Sequence, residues 1–389
     1  MRLRSTALAA VAALAVSAVP AAIPTAGAAP ASAPASASAP GDIVASAPSA
    51  FHPLPGQPTN TRAWKIHYRS TTADGAPNVV SGTVIVPQDG RTGPRPLITY
   101  AVGTVGLGDS CAPSDNLPRG TAMEANLIQQ LTLRGWAVVV TDYEGLGTPG
   151  VHTYTVGRSA GHAVLDAARA AQRLPGTGLS PTDPVGIMGY SQGGQASSWA
   201  AELQGAYAPE LQVKGTATGG VPADLLEVAD FNNGSYGAGL IFMAAAGQDA
   251  AFPELKLDSY LNPAGRLLVA GMKENCVAID AVAGSFKRIS DLTTRDPLAQ
   301  PDWRARLNQS RLGRTAPAAP VYQYHALGDE LIPYGVGRRL RSDWCARGAN
   351  LEFDTVWVGE HVSGVITHSL AAGDWLADRF AGRTTHANC

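Results

Sequence analysis

The alternation of short apolar runs with helical runs between residues 97 and 203 restricts the fold of this chain most. The apolar runs are rich in β-branched residues and lie at 97–102, 136–141 and 185–188. Residues with helical spacing lie at 123–134, 162–173 and 195–203. Because parallel strands need a crossover connection, usually a helix, this alternation predicts an α/β fold with a mainly parallel central sheet and helices on both faces.

The segments on either side of this region complete the predicted outline. Residues 63–87 alternate around Ala73-Asp74-Gly75, which predicts an antiparallel strand pair at a sheet edge. Residues 221–317 are rich in Leu and Ala without a strand pattern, which predicts a helical cap inserted over the sheet. Further strands are expected at 320–325 and 351–358, and further helices at 335–345 and 363–380.

The N-terminal segment has the three parts of a secretory signal peptide. Arg2 and Arg4 precede an apolar run at 7–19, and small residues end it at Ala26-Gly27-Ala28. We therefore expect a signal peptide at 1–28 and export from the cell. Residues 29–50 consist largely of Ala, Pro and Ser, which predicts a disordered leader, so that the folded domain is expected at 51–389.

Composition narrows the class of substrate. The chain has 389 residues, of which 45% are hydrophobic and 15% charged, so it has ample material for a large core. Its formal net charge of −2 lacks the basic excess that nucleic acids or anionic membranes select. We expect an uncharged or apolar small molecule as substrate, no nucleic acid and no obligate protein partner.

Four cysteines remain in the expected mature chain, and they are Cys111, Cys276, Cys345 and Cys389. An even number of cysteines in an exported protein predicts two disulfides. Four cysteines allow three pairings, and the residues alone leave all three open. No CxxC or clustered Cys and His spacing is present, so neither a metal site nor a cofactor is expected.

The strongest chemical signal is Gly189-Tyr190-Ser191-Gln192-Gly193, which follows a predicted strand and precedes a predicted helix. A nucleophile elbow holds its serine on such a strained turn, where small residues let strand and helix approach closely. The pattern is typical of the α/β-hydrolase fold, with Ser191 as nucleophile. The competing interpretation is a glycine-rich turn with an incidental serine.

A serine nucleophile needs a base and an acid, which follow it in this fold in the order acid, then histidine. Asp329 lies on the loop after the predicted strand at 320–325 and immediately follows Gly328, which favours it as the acid over its neighbour Glu330. His361 lies on the expected loop after the strand at 351–358, which favours it as the base. His368 falls inside the last predicted helix and His386 in the tail, where packing or surface roles are expected.

Two backbone N–H groups are expected to form the oxyanion hole. One is that of Gln192, at the start of the helix after the nucleophile. The other is expected in the glycine-rich loop at 103–109, where we favour Thr104. The glycines of that loop are equally consistent with an ordinary mobile loop.

Five stretches resemble the secretory lipases similar to Candida antarctica lipase A. They are Asp109-Ser110-Cys111-Ala112-Pro113-Ser114, Thr141-Asp142-Tyr143-Glu144-Gly145, Gly189-Tyr190-Ser191-Gln192-Gly193-Gly194, Gly328-Asp329-Glu330-Leu331-Ile332-Pro333 and Gly359-Glu360-His361. The resemblance implies a Ser191-Asp329-His361 triad, a helical cap, and disulfides Cys111–Cys276 and Cys345–Cys389. In the oxyanion loop the register of the resemblance leaves both Thr104 and Val105 as candidates.

These observations predict a secreted serine ester hydrolase, a triacylglycerol lipase or carboxylesterase, that acts through an acyl-enzyme. Its substrate is expected to be a small-molecule or lipid ester, with a lipid–water interface as a further partner. Three alternatives stay open: a secreted peptidase on the same fold, a short-chain or polyester esterase, and a non-catalytic binding protein on the same scaffold.

Overall fold

A single sheet of nine strands forms the centre of the computed structural model, which describes residues 39–389. The strands are β1 Ile43–Ser49, β2 Thr61–Thr71, β3 Pro77–Pro87, β4 Leu97–Ala101, β5 Ala137–Tyr143, β6 Val185–Tyr190, β7 Val213–Gly219, β8 Val321–Ala326 and β9 Leu351–Val356. Their order across the sheet is β1-β2-β3-β5-β4-β6-β7-β8-β9. Strands β4 to β9 are parallel to one another, and β1 to β3 extend the sheet antiparallel. The predicted mainly parallel sheet is confirmed.

The N-terminal boundary of the fold differs from the expected one. The expected signal peptide at 1–28, and residues 29–38 of the expected leader, lie outside the described residues. Residues 43–49, which were predicted to belong to a disordered leader, form the edge strand β1, paired antiparallel with β2. The prediction was wrong here because the backbone groups of the segment that begins with Ile43 and Val44 form hydrogen bonds with β2. Its mostly small side chains give no sign of this pairing.

Helices cover both faces of the sheet, as predicted. The helices are α1 Pro113–Asn116, α2 Ala125–Leu133, α3 Gly157–Arg173, α4 Gln192–Tyr207, α5 Leu225–Asn232, α6 Gly239–Ala251, α7 Pro263–Met272, α8 Val277–Gly284, α9 Ile289–Leu292, α10 Pro301–Gln309, α11 Tyr334–Cys345 and α12 His361–Phe380. On β6, a Cβ at Gly186 would meet Phe380 and Leu376 of α12, whereas one at Gly189 would meet Gly193 of α4. Since alternate strand residues face opposite sides, α4 and α12 lie on opposite faces.

Helices α5 to α10 lie between β7 and β8, in the segment where the sequence predicts a cap. They have a core of their own, which includes the buried side chains of Phe242, Met243, Leu255 and Trp303. The Cys111–Cys276 disulfide joins this segment to the loop after β4. The cap is therefore covalently tied to the part of the body that carries the predicted oxyanion loop.

A second disulfide closes the C-terminus, because Cys345 at the end of α11 is bonded to Cys389. Asn388 adds to this attachment by donating a backbone hydrogen bond to Leu351 and accepting one from Phe353 N–H on its side-chain oxygen. Both disulfides have the pairing that the family resemblance implies. Across residues 39–389, no helix combines the length and the hydropathy that crossing a membrane requires.

Candidate active site

Ser191 occupies a one-residue turn between the end of β6 and the start of α4. Its backbone is in a strained region, with φ 60° and ψ −122°, and it is held there because its N–H donates to the carbonyl of Gly219 at 3.0 Å. A Cβ at Gly189 would lie 2.2 Å from the carbonyl oxygen of Gly193, and one at Gly193 would lie 2.0 Å from that of Ala101. Glycine is therefore required at both positions, as a nucleophile elbow demands.

His361 lies next to Ser191 in the structure. Its Nε2 is 2.9 Å from Ser191 Oγ, and its Nδ1 is 2.7 Å from Asp329 Oδ2. The prediction placed His361 on a loop and began the last helix at residue 363, but His361 is the first residue of α12, and β9 ends at Val356. The helix begins earlier because Glu360 caps it, accepting the N–H groups of Val362 and Ser363. The backbone of the histidine is thus fixed by a helix terminus.

Asp329 is buried in the loop after β8 and is held from several sides. Its Oδ1 accepts the backbone N–H groups of Leu331 and Ile332 at 3.0 and 2.7 Å, which leaves Oδ2 for His361. Burial alone would raise the pKa of Asp329, but hydrogen bonds from His325 and His361 outweigh burial and hold it well below its usual range. Asp329 therefore stays ionised at neutral pH, as an acid that orients an imidazole requires.

His325 is a contact of the site that the sequence analysis missed. It is fully buried on β8, and its Nε2 lies 2.9 Å from the carbonyl of Ile332 and 3.3 Å from Asp329 Oδ2. Since the carbonyl and the carboxylate both accept, Nε2 carries the proton and donates to them. The only available signal was a histidine inside a strand without charged residues, four residues before Asp329.

Glu330, the alternative acid, contacts the backbone of His361 and not its ring. Its Oε2 accepts the backbone N–H of His361 at 2.9 Å rather than a proton of the imidazole. The hydroxyl of Tyr190 donates to the carbonyl of His361 at 2.7 Å. Both backbone polar groups of the histidine are thereby anchored, and the carboxylate that faces its ring is that of Asp329.

The two predicted oxyanion residues come from different segments, Gln192 from the start of α4 and Thr104 from the loop after β4. Gln192 is the first residue of α4, so its N–H points out of the helix terminus. Its side-chain amide donates to Nε2 of the buried His152, whose Nδ1 lies 3.0 Å from the carbonyl of Glu144. Burial lowers the pKa of His152 to about 4, so the ring is neutral at neutral pH and can accept this bond.

Thr104 lies in the loop after β4. Its hydroxyl is 2.8 Å from the hydroxyl of Tyr154, which lines the same cavity as Ser191. The N–H of the preceding residue, Gly103, is occupied, since it donates to the carboxylate of Glu124. The N–H of Thr104 itself forms no hydrogen bond within residues 39–389. The N–H groups of Thr104 and of Val105, the other candidate, are thus both without a hydrogen-bond acceptor among the described residues, whereas Gly103 N–H is occupied.

An apolar cavity extends from Ser191 and Gln192 into the cap. Its wall is formed mainly by apolar cap side chains, such as Leu240, Ile241, Phe242, Ala245, Leu261 and Trp303. Among the described residues, none of the side chains that line it carries a formal charge. The cavity therefore matches an uncharged, apolar chain attached to the group that Ser191 attacks.

Two of the stretches that carry the family resemblance, 109–114 and 141–145, contact each other next to the predicted oxyanion loop. Asp142 accepts the backbone N–H of Ser114 at 2.9 Å and the hydroxyl of Ser81 at 2.7 Å. Tyr143 has a positive φ of 70°, and its hydroxyl donates to the carbonyl of Val102 at 2.7 Å. These contacts fix the entry into the predicted oxyanion loop at 103–109.

Replacing Asp142 by asparagine is expected to change how stability depends on pH. Burial raises the pKa of Asp142 from 3.8 to about 6, although hydrogen bonds from Ser114 and Ser81 act in the opposite direction. Because the folded-state pKa lies above the unfolded one, the carboxyl contributes most stability below pH 4 and loses it as pH rises through 6. A shift of this size corresponds to roughly 3 kcal/mol.

Urea unfolding of wild type and Asp142→Asn from pH 4 to 8 checks this expectation. As pH rises from 4 to 8, the free energy of unfolding of the variant should increase relative to that of wild type by up to roughly 3 kcal/mol. A difference between the two proteins that does not vary with pH would contradict it.

Several known lipases are similar to this chain in sequence. Residues 112–388 match the sequence model of the family described as "LIP: Secretory lipase". "Probable inactive lipase MT1628" of Mycobacterium tuberculosis is 34% identical over 355 residues, which cover 86% of this chain and 76% of that protein. "Secreted triacylglycerol lipase LIP5" of Malassezia globosa is 30% identical over 350 residues, which cover 84% of this chain and 72% of that protein.

Among solved structures, Candida antarctica lipase A in its closed state is similar in fold. The TM-score is 0.82 at 24% identity, over 90% of this chain and 85% of that chain. At this level of identity the likeness concerns the fold, and it supports the predicted α/β-hydrolase architecture.

Proposed function

The chain belongs to the secretory lipase family, and from this premise we propose that it is an exported enzyme that hydrolyses lipid esters through an acyl-enzyme on Ser191. The observation that carries the proposal is the continuous hydrogen-bonded series from Ser191 Oγ through His361 to Asp329. An apolar cavity opens at the same serine. Nucleophile, base, acid and a place for an acyl chain thus occur together.

In the proposed reaction, His361 Nε2 removes the proton of Ser191 Oγ as that oxygen attacks the ester carbonyl. The imidazolium that forms is stabilised by the ionised Asp329, and it returns the proton to the departing alcohol. Water then attacks the acyl-enzyme with His361 again as base, which releases the carboxylic acid and restores Ser191. The oxyanion of each tetrahedral intermediate is bound by Gln192 N–H and Thr104 N–H.

We propose that the cavity holds the acyl chain, and a bulky substitution in its wall tests this. Ala245→Phe adds a ring to the wall, so hydrolysis of p-nitrophenyl octanoate should fall by about 10-fold or more, while that of the acetate changes little. Ala270→Phe is the matched control, because Ala270 is exposed on the cap helix α7 and does not line the cavity. Equal losses on both esters would contradict the assignment.

A lipid–water interface is the proposed site of action, and an exposed apolar patch supports it. The patch belongs to the two segments that carry Asp329 and His361, and its exposed members are Leu327, Trp357, Val358, Val362, Ile366 and Leu370. Val362, Ile366 and Leu370 recur every four residues and form one face of α12. Glu360 is the only formally charged residue between 357 and 373, so the surface suits an uncharged apolar phase.

The double variant Trp357→Gln/Ile366→Gln tests the role of the patch. Burial of each side chain in lipid is worth about 1.5 to 3 kcal/mol, so hydrolysis of emulsified tributyrin should fall by about 10-fold or more. Hydrolysis of dissolved p-nitrophenyl acetate should stay within about 2-fold. Val44→Gln is the control, since Val44 is exposed on β1 at the opposite edge of the sheet. A parallel loss on both substrates would contradict a role in adsorption.

We further propose that residues 1–28 are a cleaved signal peptide and that the enzyme acts outside the cell. Two disulfides support this, since such bonds persist in oxidising compartments. N-terminal sequencing of the secreted protein tests it. A mature chain that begins well before or after residue 29 would contradict the proposed cleavage site.

Two other functions are tested by the same assay. The relative named as an inactive lipase makes a non-catalytic binding role a real competitor, but here Ser191, Asp329 and His361 are all in hydrogen-bonding reach. A peptidase is disfavoured because no charged side chain lines the described cavity. Purified protein should hydrolyse p-nitrophenyl esters and leave aminoacyl anilides intact. Folded protein that cleaves neither would favour the binding role, and faster anilide cleavage would favour a peptidase.

A further inference from the structure

Glu124 contacts the oxyanion loop, and the proposed reaction gives it no role. Its Oε1 accepts the N–H of Gly103 at 2.7 Å, and its Oε2 accepts the hydroxyl of Tyr100 at 2.6 Å. Gly103 directly precedes Thr104, whose N–H is the proposed oxyanion donor. Because glycine has the widest choice of backbone angles, the direction of the Thr104 N–H depends on how Gly103 is held.

The carboxylate packs directly on Gly103. A Cβ at this glycine would lie 2.6 Å from Glu124 Oε1 and 3.5 Å from the carbonyl oxygen of Tyr190, the residue before the nucleophile. On the other side of the same segment, the carbonyl of Val102 accepts the hydroxyl of Tyr143. Gly103 is therefore enclosed between Glu124 and the elbow, with one anchor on its own N–H and another on the preceding carbonyl.

This arrangement is unfavourable for a carboxyl group that serves only packing. Burial raises the pKa of Glu124, although the hydrogen bonds from Tyr100 and Gly103 oppose the rise. Within residues 39–389, none of the groups that act on its charge is a cation. A partly buried carboxylate without an ion-pair partner costs free energy, and such violations of packing rules concentrate at functional sites.

We propose that Glu124 is a positioning residue of the oxyanion hole, which holds Gly103 by its N–H so that Thr104 N–H stays directed at the oxyanion. The inference rests on the proposed ester hydrolysis at Ser191. Since the oxyanion exists only after attack, loss of this contact weakens transition-state binding more than substrate binding. It therefore lowers kcat and leaves KM nearly unchanged.

Three variants distinguish the role of the Glu124 oxygen that accepts Gly103 N–H from that of the Glu124 charge and from that of the Tyr100 hydroxyl. Glu124→Leu removes both carboxylate oxygens. Glu124→Gln removes the charge but keeps an oxygen that can accept Gly103 N–H. Tyr100→Phe removes the hydroxyl on Oε2 and leaves the contact with Gly103 intact. Glu124→Asp, which shortens the side chain by one methylene, replaces the leucine variant if that protein does not fold.

The measurement is kcat and KM for p-nitrophenyl butyrate, per active site titrated with a fluorophosphonate, together with the inhibition constant of an alkyl trifluoromethyl ketone. The ketone forms a hemiketal oxyanion on the serine, so it reports on the oxyanion hole directly. Glu124→Leu should lower kcat by about 10-fold to 100-fold, which is at most about the effect of removing one oxyanion donor. Its affinity for the ketone should weaken by a similar factor. Glu124→Gln and Tyr100→Phe should stay within about 3-fold of wild type.

Each outcome bears on the inference. An unchanged kcat and ketone affinity in titrated Glu124→Leu or Glu124→Asp would overturn it. A loss in Tyr100→Phe as large as that in Glu124→Leu would also overturn it, because the hydroxyl network rather than Gly103 would then set the rate. A wild type without ester hydrolysis would instead refute the proposed function, so the two failures are distinguishable.

Discussion

Ser191→Ala will lower kcat for p-nitrophenyl ester hydrolysis by about 10⁴-fold or more, because the residues of a triad act as a unit and no other group can form the acyl-enzyme. The free energy of unfolding should change little, since alanine at this position keeps the same backbone and loses only the hydroxyl. Steady-state rates on purified mature protein, with urea unfolding in parallel, provide the measurement.

Ser198→Ala is the matched control for this variant. Ser198 is buried on α4, the helix that follows Ser191, and its hydroxyl lies 3.0 Å from that of Thr218 rather than in the site. Its kcat should stay within about 3-fold of wild type, even if loss of that hydrogen bond costs about 1 kcal/mol of stability. Ester hydrolysis that persists in Ser191→Ala would show that another residue is the nucleophile.

Asp329→Asn should lower kcat by about 10⁴-fold, a magnitude known from the same change in another serine triad. Here the reason lies in the contacts of the carboxylate. Its Oδ1 accepts the N–H groups of Leu331 and Ile332, so the amide oxygen of asparagine takes that position and the NH₂ faces His361 Nδ1. The NH₂ then donates to Nδ1, which places the ring proton on Nε2, where it blocks removal of the serine proton.

Glu330→Gln is the control for Asp329→Asn, since the two carboxyls are adjacent in sequence. The glutamine oxygen can still accept the backbone N–H of His361, so a decrease in kcat of less than about 10-fold is expected. If Glu330→Gln were the more damaging change, the assignment of the acid would be wrong. The ratio of the two rates therefore tests which carboxyl orients the imidazole.

Most of the fold is predictable from the sequence because its strands are short, apolar and separated by helical segments. The predicted parallel strands β4, β5, β6, β8 and β9 and the antiparallel pairing of β2 with β3 are confirmed, and so is the family resemblance. Strand β7 was not predicted, and β1 rather than the pair of β2 and β3 forms the edge of the sheet. The edge strand β1 was missed because its pairing depends on backbone groups of β2, whereas its own side chains are mostly small and exposed. Composition alone does not reveal such pairing.

The candidate site is predictable where backbone geometry restricts the residue type. Gly189 and Gly193 have no room for a Cβ, so the elbow is visible in the sequence. His325 and Glu124 carry no comparable signal, because their contacts with Asp329 and Gly103 join segments that only the fold brings together. The pKa shifts of buried carboxyls escape prediction for the same reason, since they depend on burial and on partners distant in sequence.

The central claim is that Ser191 forms a covalent acyl-enzyme, and intact-protein mass spectrometry with stopped-flow kinetics tests it most directly. Rapid mixing with p-nitrophenyl butyrate should give a burst of p-nitrophenol that approaches one equivalent per active site if deacylation is made slow at acidic pH. Acid quenching should then trap a butyryl adduct that peptide mapping assigns to Ser191, and Ser191→Ala should form none. Turnover by wild type with an adduct on a different residue, or an adduct that persists in Ser191→Ala, would contradict the account.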